Sequence, residues 1–170
     1  MNKLVTYINR GLAAFTVSLS TFLVFCVVWQ VLSRYVLGKP STVTDELARY
    51  LFMWVALIGA AYTTGLKRHL AIDLLTMTLK GKKKLVNEIV IQVAIALFSY
   101  VVLVHGGTQL ALKTLATGQL TPALGLEMGY IYFCLPISGA LMIFYSAVFA
   151  FDHVKQLTSG EALLTDTQLD

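Results

Sequence analysis

Four long uncharged runs leave this chain few ways to fold: Gly11–Ser33, Tyr50–Leu66, Ile89–Leu112 and Met128–Phe151. Each reaches the roughly 17–25 residues that an α-helix needs to cross a bilayer. Hydrocarbon offers no water to backbone N–H and C=O groups, so such segments must satisfy themselves as helices. Only 13% of the 170 residues are charged, against about 25% in an ordinary soluble domain, so most of the chain belongs in lipid. The expected fold is an all-α integral membrane protein of four tilted transmembrane helices over about 11–36, 46–66, 85–112 and 128–151. They form one domain, 1–155, followed by a polar cytoplasmic tail, 156–170. The first run far exceeds the h-region of a cleaved signal peptide and no small-x-small site follows it, so it reads as a span.

Charge sets the expected orientation. Lys3, Arg10, Lys67, Arg68, Lys80, Lys82, Lys83, Lys84 and Lys155 fall on one side of the spans; Arg34, Lys39, Arg49 and Lys113 fall on the other. By the positive-inside rule this nine-to-four asymmetry places both termini in the cytoplasm. The run Lys80, Lys82, Lys83, Lys84 reads as a basic cluster facing lipid headgroups, and nucleic acid is not implied. Between spans two and three, Leu70 to Leu79 mixes apolar and polar residues over a stretch too short to span. It is expected to form a short cytoplasmic interfacial helix.

The second run is the most informative. Its 17 residues cover about 25 Å, less than the ~30 Å hydrocarbon core. Arg49 must therefore sit near a membrane edge, and Asp45 and Glu46, four and three residues before it, are placed to pair with it. Below Arg49 the stripe Phe52, Ala56, Gly59, Ala60, Thr63 offers a small-residue face for close helix contact, as do Gly139 and Ala140 beside Pro136 in span four. At the other end His69 and Asp73, also four apart, read as a structural clamp at the membrane exit in preference to a proton-transfer pair, and with Asp45, Glu46 and Arg49 they are the structural charged residues of this stretch. Arg34 is open to two readings, an anchor at the interface or a positive contact point for another protein.

Several local expectations follow. Thr42–Asp45 approximates a capping box, which would start helix two ahead of the membrane. Gln92, Ala96 and Ser99 make a mildly polar packing stripe in span three, and Glu88 complements that helix's start. Pro136 should kink span four, with Ser138 or neighbouring helices absorbing the freed backbone groups. Cys26 and Cys134 lie deep in apolar spans and read as packed thiols.

Convergent chemistry is missing from the sequence. It contains no phosphate loop, no facing pair of intramembrane histidines for haem, and no clustered zinc ligands. No carboxylate occupies the middle of a span, as coupled carriers commonly require. The chain therefore reads as a non-enzymatic partner or scaffold without a cofactor. The alternative class is a stand-alone small membrane carrier or the membrane-anchor subunit of a redox complex.

An ordered set of motifs narrows the choice: Gln30-x-x-x-Arg34-Tyr35, then Asp45-Glu46-x-x-Arg49-Tyr50-x-Phe52-x-Trp54, then Gly59-Ala60-Ala61, His69-x-x-x-Asp73, Thr121-Pro122-x-x-Gly125 and Leu135-Pro136. Together they resemble the small membrane subunit of tripartite ATP-independent periplasmic (TRAP) transporters of bacteria, over roughly residues 10–152. The resemblance implies a four-helix subunit of the inner membrane, bound to a large multi-span subunit. In such systems a periplasmic substrate-binding protein delivers an organic anion that the large subunit moves with sodium. The pattern is similar to the sialic acid systems of that family. On this resemblance Arg34, Lys39, Asp45 and Glu46 are candidates for the surface where the binding protein docks. The faces Ala56, Gly59, Ala60, Thr63 and Pro136, Gly139, Ala140 are candidates for packing within the bundle or against the large subunit.

Overall fold

Apolar runs of this length become helices because lipid leaves their backbones no other partner. In the computed structural model, which describes residues 3–66 and 82–158, no β-strand occurs among the described residues. Helix α1 is Lys3–Tyr35 and α2 is Thr42–Gly65. Span three is a composite: α3 (Lys82–Phe98), an eight-residue π-helical segment (Ser99–Gly106) and α4 (Gly107–Ala116). Span four divides into α5 (Met128–Tyr132) and α6 (Cys134–Thr158). Among the described residues four stretches are long and apolar enough to cross a membrane: Val5–Tyr35, Thr42–Gly65, Val86–Ala116 and Met128–Lys155. The expected interfacial helix, His69, Asp73 and Lys80 lie outside the described residues. Lys82, Lys83 and Lys84 form the first turn of α3. The helix α6 runs three residues into the stretch expected to be tail.

Two antiparallel pairs build the bundle, α1 along α2 and α3 along α6, and α6 also packs on α2. At one end three helices meet. The Tyr145 hydroxyl donates to Asn9 Oδ1 at 2.6 Å, and Asn9 Nδ2 donates to the Gly65 carbonyl at 3.2 Å. Tyr145 is fully buried beside Val5 and Phe149, whose ring it stacks on. At the same end His153 Nε2 of α6 lies 3.0 Å from the Glu88 carboxylate of α3. The start of α1 and the end of α6 thus share one end of the bundle.

Two glycines set the crossing of spans three and four. A Cβ on Gly107 would lie 2.6 Å from that of Leu135, and one on Gly139 would lie 2.7 Å from that of Leu103 and 3.2 Å from the Ser99 carbonyl oxygen. The π-helical turn and the residues around Pro136 therefore approach each other closely. Ser99, fully buried, turns its hydroxyl to Met142 Sδ at 3.5 Å, and Gln92 is buried on the same helix.

The break in span four differs from a proline kink with serine repair. Helical continuity fails at Phe133, three residues before Pro136, so the proline sits in the first turn of α6, where a missing N–H is tolerated. Ser138 donates to the Leu135 carbonyl at 2.9 Å and not to that of Tyr132, the one a proline at 136 leaves without its helical donor. The capping box is not formed either. The N-cap of α2 is Ser41, without a side-chain cap, and Thr44 Oγ1 instead donates to the Ser41 carbonyl at 3.2 Å. The Asp45 carboxylate is engaged elsewhere.

Candidate functional site

Opposite the Asn9 junction lies the end of the bundle that carries Asp45, Glu46 and Arg49. Helix α1 stops there: Gly38 takes a positive φ of 65° and Lys39 N–H returns to the Ser33 carbonyl at 3.1 Å. That turn brings the first coil of α2 alongside the last of α1. Gln30 Nε2 on α1 donates to Asp45 Oδ1, and Arg49 Nη2 donates to Asp45 Oδ2 at 2.5 Å. One carboxylate thereby ties two helices and neutralises one arginine. Its side chain is about one-third exposed and that of Arg49 about three-quarters, so water screens the ion pair.

Glu46 turns the other way. It is buried, at 8% exposure, and its two oxygens have separate tasks. Oε1 accepts from the Tyr50 hydroxyl at 2.6 Å, one helical turn on. Oε2 accepts from two successive backbone amides, Ala123 at 2.6 Å and Leu124 at 3.0 Å, in the connection between spans three and four. A buried carboxylate is tolerated only when it is well hydrogen-bonded, and three donors here occupy three of its roughly four lone-pair sites. Tyr50 also reaches Met128 Sδ at 3.7 Å, so the start of α5 joins the same cluster.

The segment that supplies those amides is shaped by its own bonds. Gly118 and Gly125 adopt positive φ values of 61° and 65°, which glycine alone takes without strain. Thr121 is buried and closes the turn: its N–H donates to the Leu126 carbonyl at 2.8 Å, and its Oγ1 accepts from Leu126 N–H at 2.9 Å. Leu120 and Glu127 pair as an isolated antiparallel bridge. Gly129 lets the chain settle on span three, since a Cβ there would lie 2.3 Å from Leu115 Cγ and 2.9 Å from the Ala111 carbonyl oxygen.

The remaining candidate residues separate into groups. Arg34 and Lys39 are exposed at this same end. On α2 the stripe expected to pack is largely turned outward: Phe52, Ala56 and Thr63 are exposed, with Gly59 and Ala60 half-buried and Gly59 nearest to Thr16. The inward face of α2 is instead Glu46, Ala48, Ile58, Ala61, Thr64 and Gly65. In span four Gly139 is buried against span three, Pro136 is half-buried, and Ala140 is exposed. Among the described residues no group of three or more histidines, cysteines or carboxylates could hold a metal. Gln30, Thr121, Asn9 and His153 escaped the reading of the sequence as site residues. Glu46 and Tyr50 are one turn apart, a spacing that does signal a pair; the others meet only through tertiary structure.

Four apolar helical stretches among the described residues, tied to one another at both ends, make this a multi-pass membrane bundle. Comparison with known proteins says to which family it belongs. The family model for the DctQ component of tripartite ATP-independent periplasmic transporters matches residues 23–156. The chain is 31% identical over 166 residues to the sialic acid TRAP transporter small permease protein SiaQ of Vibrio cholerae, covering 95% of this chain and 93% of that one. It is 25% identical over 142 residues to a putative TRAP transporter small permease protein of Haemophilus influenzae, covering 84% and 86% of the two chains. A third match, 29% over 119 residues, is to 18% of the sialic acid TRAP transporter permease protein SiaT of H. influenzae.

The chain belongs to the DctQ-component family of TRAP transporters. It is a multi-pass inner-membrane transport component and not an enzyme, and it works with a large membrane subunit and a periplasmic binding protein.

Proposed function

We propose that this subunit frames the large transport subunit and helps to dock the periplasmic binding protein during sodium-coupled uptake of an organic anion. Sialic acid is the favoured substrate, on the strength of the similarity to a sialic acid small permease across nearly the whole chain. The observation that carries the framing role is the pair of end clusters. Asn9–Tyr145–Gly65 at one end and Gln30–Asp45–Arg49 with Glu46–Ala123 at the other tie the helices to one another. A frame needs fixed ends; a moving carrier domain does not.

The excess of Lys and Arg on the Asn9 side supports a cytoplasmic location for both termini, leaving the Glu46 end in the periplasm. Arg34 and Lys39, exposed at that end, then face an arriving soluble protein. Asp45 is tied to Gln30 and Arg49 and Glu46 is buried, so their part in docking is indirect. The outward stripe at Phe52, Ala56 and Thr63 is our candidate for contact with the large subunit.

Uptake into proteoliposomes with a sodium gradient tests this reading. This chain, the large subunit and both together are compared, each with the binding protein and labelled sialic acid. Uptake only with both present, and only with sodium, is the expected result; uptake by either membrane subunit alone would overturn the framing role. Arg34→Glu should weaken uptake at unchanged membrane expression, and unchanged uptake would sink the docking contribution.

A further inference from the structure

We propose that the connection between spans three and four, residues 117–127, is a preformed docking element for the periplasmic binding protein and that Glu46 is the positioning residue that holds its shape. The inference rests on the docking role proposed above and identifies the part of the surface that carries it.

Three observations converge on this segment. First, its backbone is fixed from beneath. Ala123 and Leu124 N–H both bond the buried Glu46 carboxylate, and Thr121 closes the turn on Leu126. A loop left to itself would satisfy those amides with water. A buried carboxylate bonded to two of them fixes the loop's conformation as well as joining the loop to α2. Secondly, the fixed loop presents apolar side chains outward: Leu120 and Leu126 are 61% and 53% exposed. Thirdly, the cations of this end stay exposed while its acids on α2 are consumed. Arg34, Lys39 and Lys113 are exposed, against one exposed acid of the segment, Glu127; Arg49 and Asp45 neutralise each other, and Glu46 is buried. An apolar centre with a charged rim is the usual anatomy of a protein interface. The sign of the rim selects a partner with an acidic contact surface.

Preformation matters because docking must repeat in every transport cycle. A loop that orders only on contact gives up about 1–2 kcal/mol per residue in lost backbone freedom. The Glu46 bonds meet that cost during folding. The motif Thr121-Pro122-x-x-Gly125 then has a physical purpose: buried threonine closure, and a glycine at the positive φ that turns the chain towards Leu126.

The test uses the assembled two-subunit membrane complex in nanodiscs and the purified binding protein. Affinity is measured by interferometry, and amide exchange is followed over residues 117–127. Glu46→Ala should release the protection of Ala123 and Leu124 and weaken docking by about tenfold or more. Glu46→Gln retains an oxygen that can accept both amides, so it should stay within about threefold. Thr121→Val, which leaves Glu46 in place, should also weaken docking and provides the answer if Glu46→Ala does not assemble. Normal docking by Glu46→Ala or Thr121→Val, alongside weakened docking by Arg34→Glu, would overturn the loop's role while keeping the docking reading. Normal docking by Arg34→Glu as well would remove that reading itself. Exchange over 117–127 that responds to anionic lipid and not to the binding protein would make the loop a lipid contact, which also overturns the proposal.

Discussion

Tyr145 and Asn9, 136 positions apart in sequence, share a buried 2.6 Å hydrogen bond. The bond joins the start of α1 to the last helix, and Asn9 passes the connection on to the final carbonyl of α2 at Gly65. In lipid there is no hydrophobic force to press helices together, so packing and interhelical hydrogen bonds hold them. Tyr145→Phe keeps the ring and removes only the donor, leaving Asn9 Oδ1 buried without it. The expected loss is about 1 kcal/mol, read as a lower melting temperature of the purified subunit in detergent. Tyr145→Ala also empties the cluster with Val5 and Phe149 and should lower the melting temperature further than Tyr145→Phe, since lost packing adds to the lost donor.

Gly65 tests the same junction by volume. A Cβ at this position would lie 2.6 Å from Asn9 Oδ1 and 2.7 Å from Tyr145 Cζ. Gly65→Ala must therefore push the three helices apart, at about 1–3 kcal/mol. Gly11, two residues beyond Asn9, has nothing within 4 Å of an added Cβ. Gly11→Ala should leave the melting temperature equal or slightly higher, since alanine is the better helix former by about 0.5–1 kcal/mol. Equal effects from the two substitutions would contradict the junction.

The contrast between those glycines marks how far the sequence could be read. The four spans follow from uncharged runs of sufficient length, because lipid leaves an apolar backbone one solution. The ion pair Asp45–Arg49 follows from i,i+4 spacing. What escaped was whatever depends on contacts between distant segments. Glu46 has the same local signature as Asp45, and its burial under the Ala123–Leu124 amides exists only once spans two and four have assembled. The stripe through Ala56 and Thr63 reads as a packing face by composition, yet the inward face is the one through Ile58, Ala61 and Gly65. Small residues permit close contact on either side of a helix; which side is used is decided by the partner.

Asp45 and Arg49 should differ in weight although they are partners. Arg49→Ala removes one screened ion pair and should cost under about 1 kcal/mol. Asp45→Ala removes that pair and the acceptor of Gln30 together, loosening α1 from α2 at this end, and should cost about 1–2 kcal/mol. Thermal unfolding of the two variants side by side measures the difference. A larger loss in Arg49→Ala would mean that the arginine, and not the carboxylate, organises this end.

The outward stripe on α2 gives the prediction that separates lipid from protein at this face. Phe52, Ala56 and Thr63 are exposed on the subunit by itself, and a small residue facing lipid can be enlarged at little cost. If the stripe meets only lipid, Ala56→Phe should change neither the subunit's melting temperature nor its recovery with the large subunit. If the large subunit packs here, the added ring must open a helix contact that small residues make close. The melting temperature of the isolated subunit should then be unaltered while the yield of co-purified complex falls severalfold. We expect the second outcome, because Arg49 leads directly into the stripe and a cation at a membrane edge gains more from a polar neighbour protein than from acyl chains. Equal yields for Ala56→Phe and the unaltered chain would return the face to lipid and move the search for the large-subunit contact to the exposed side of α1.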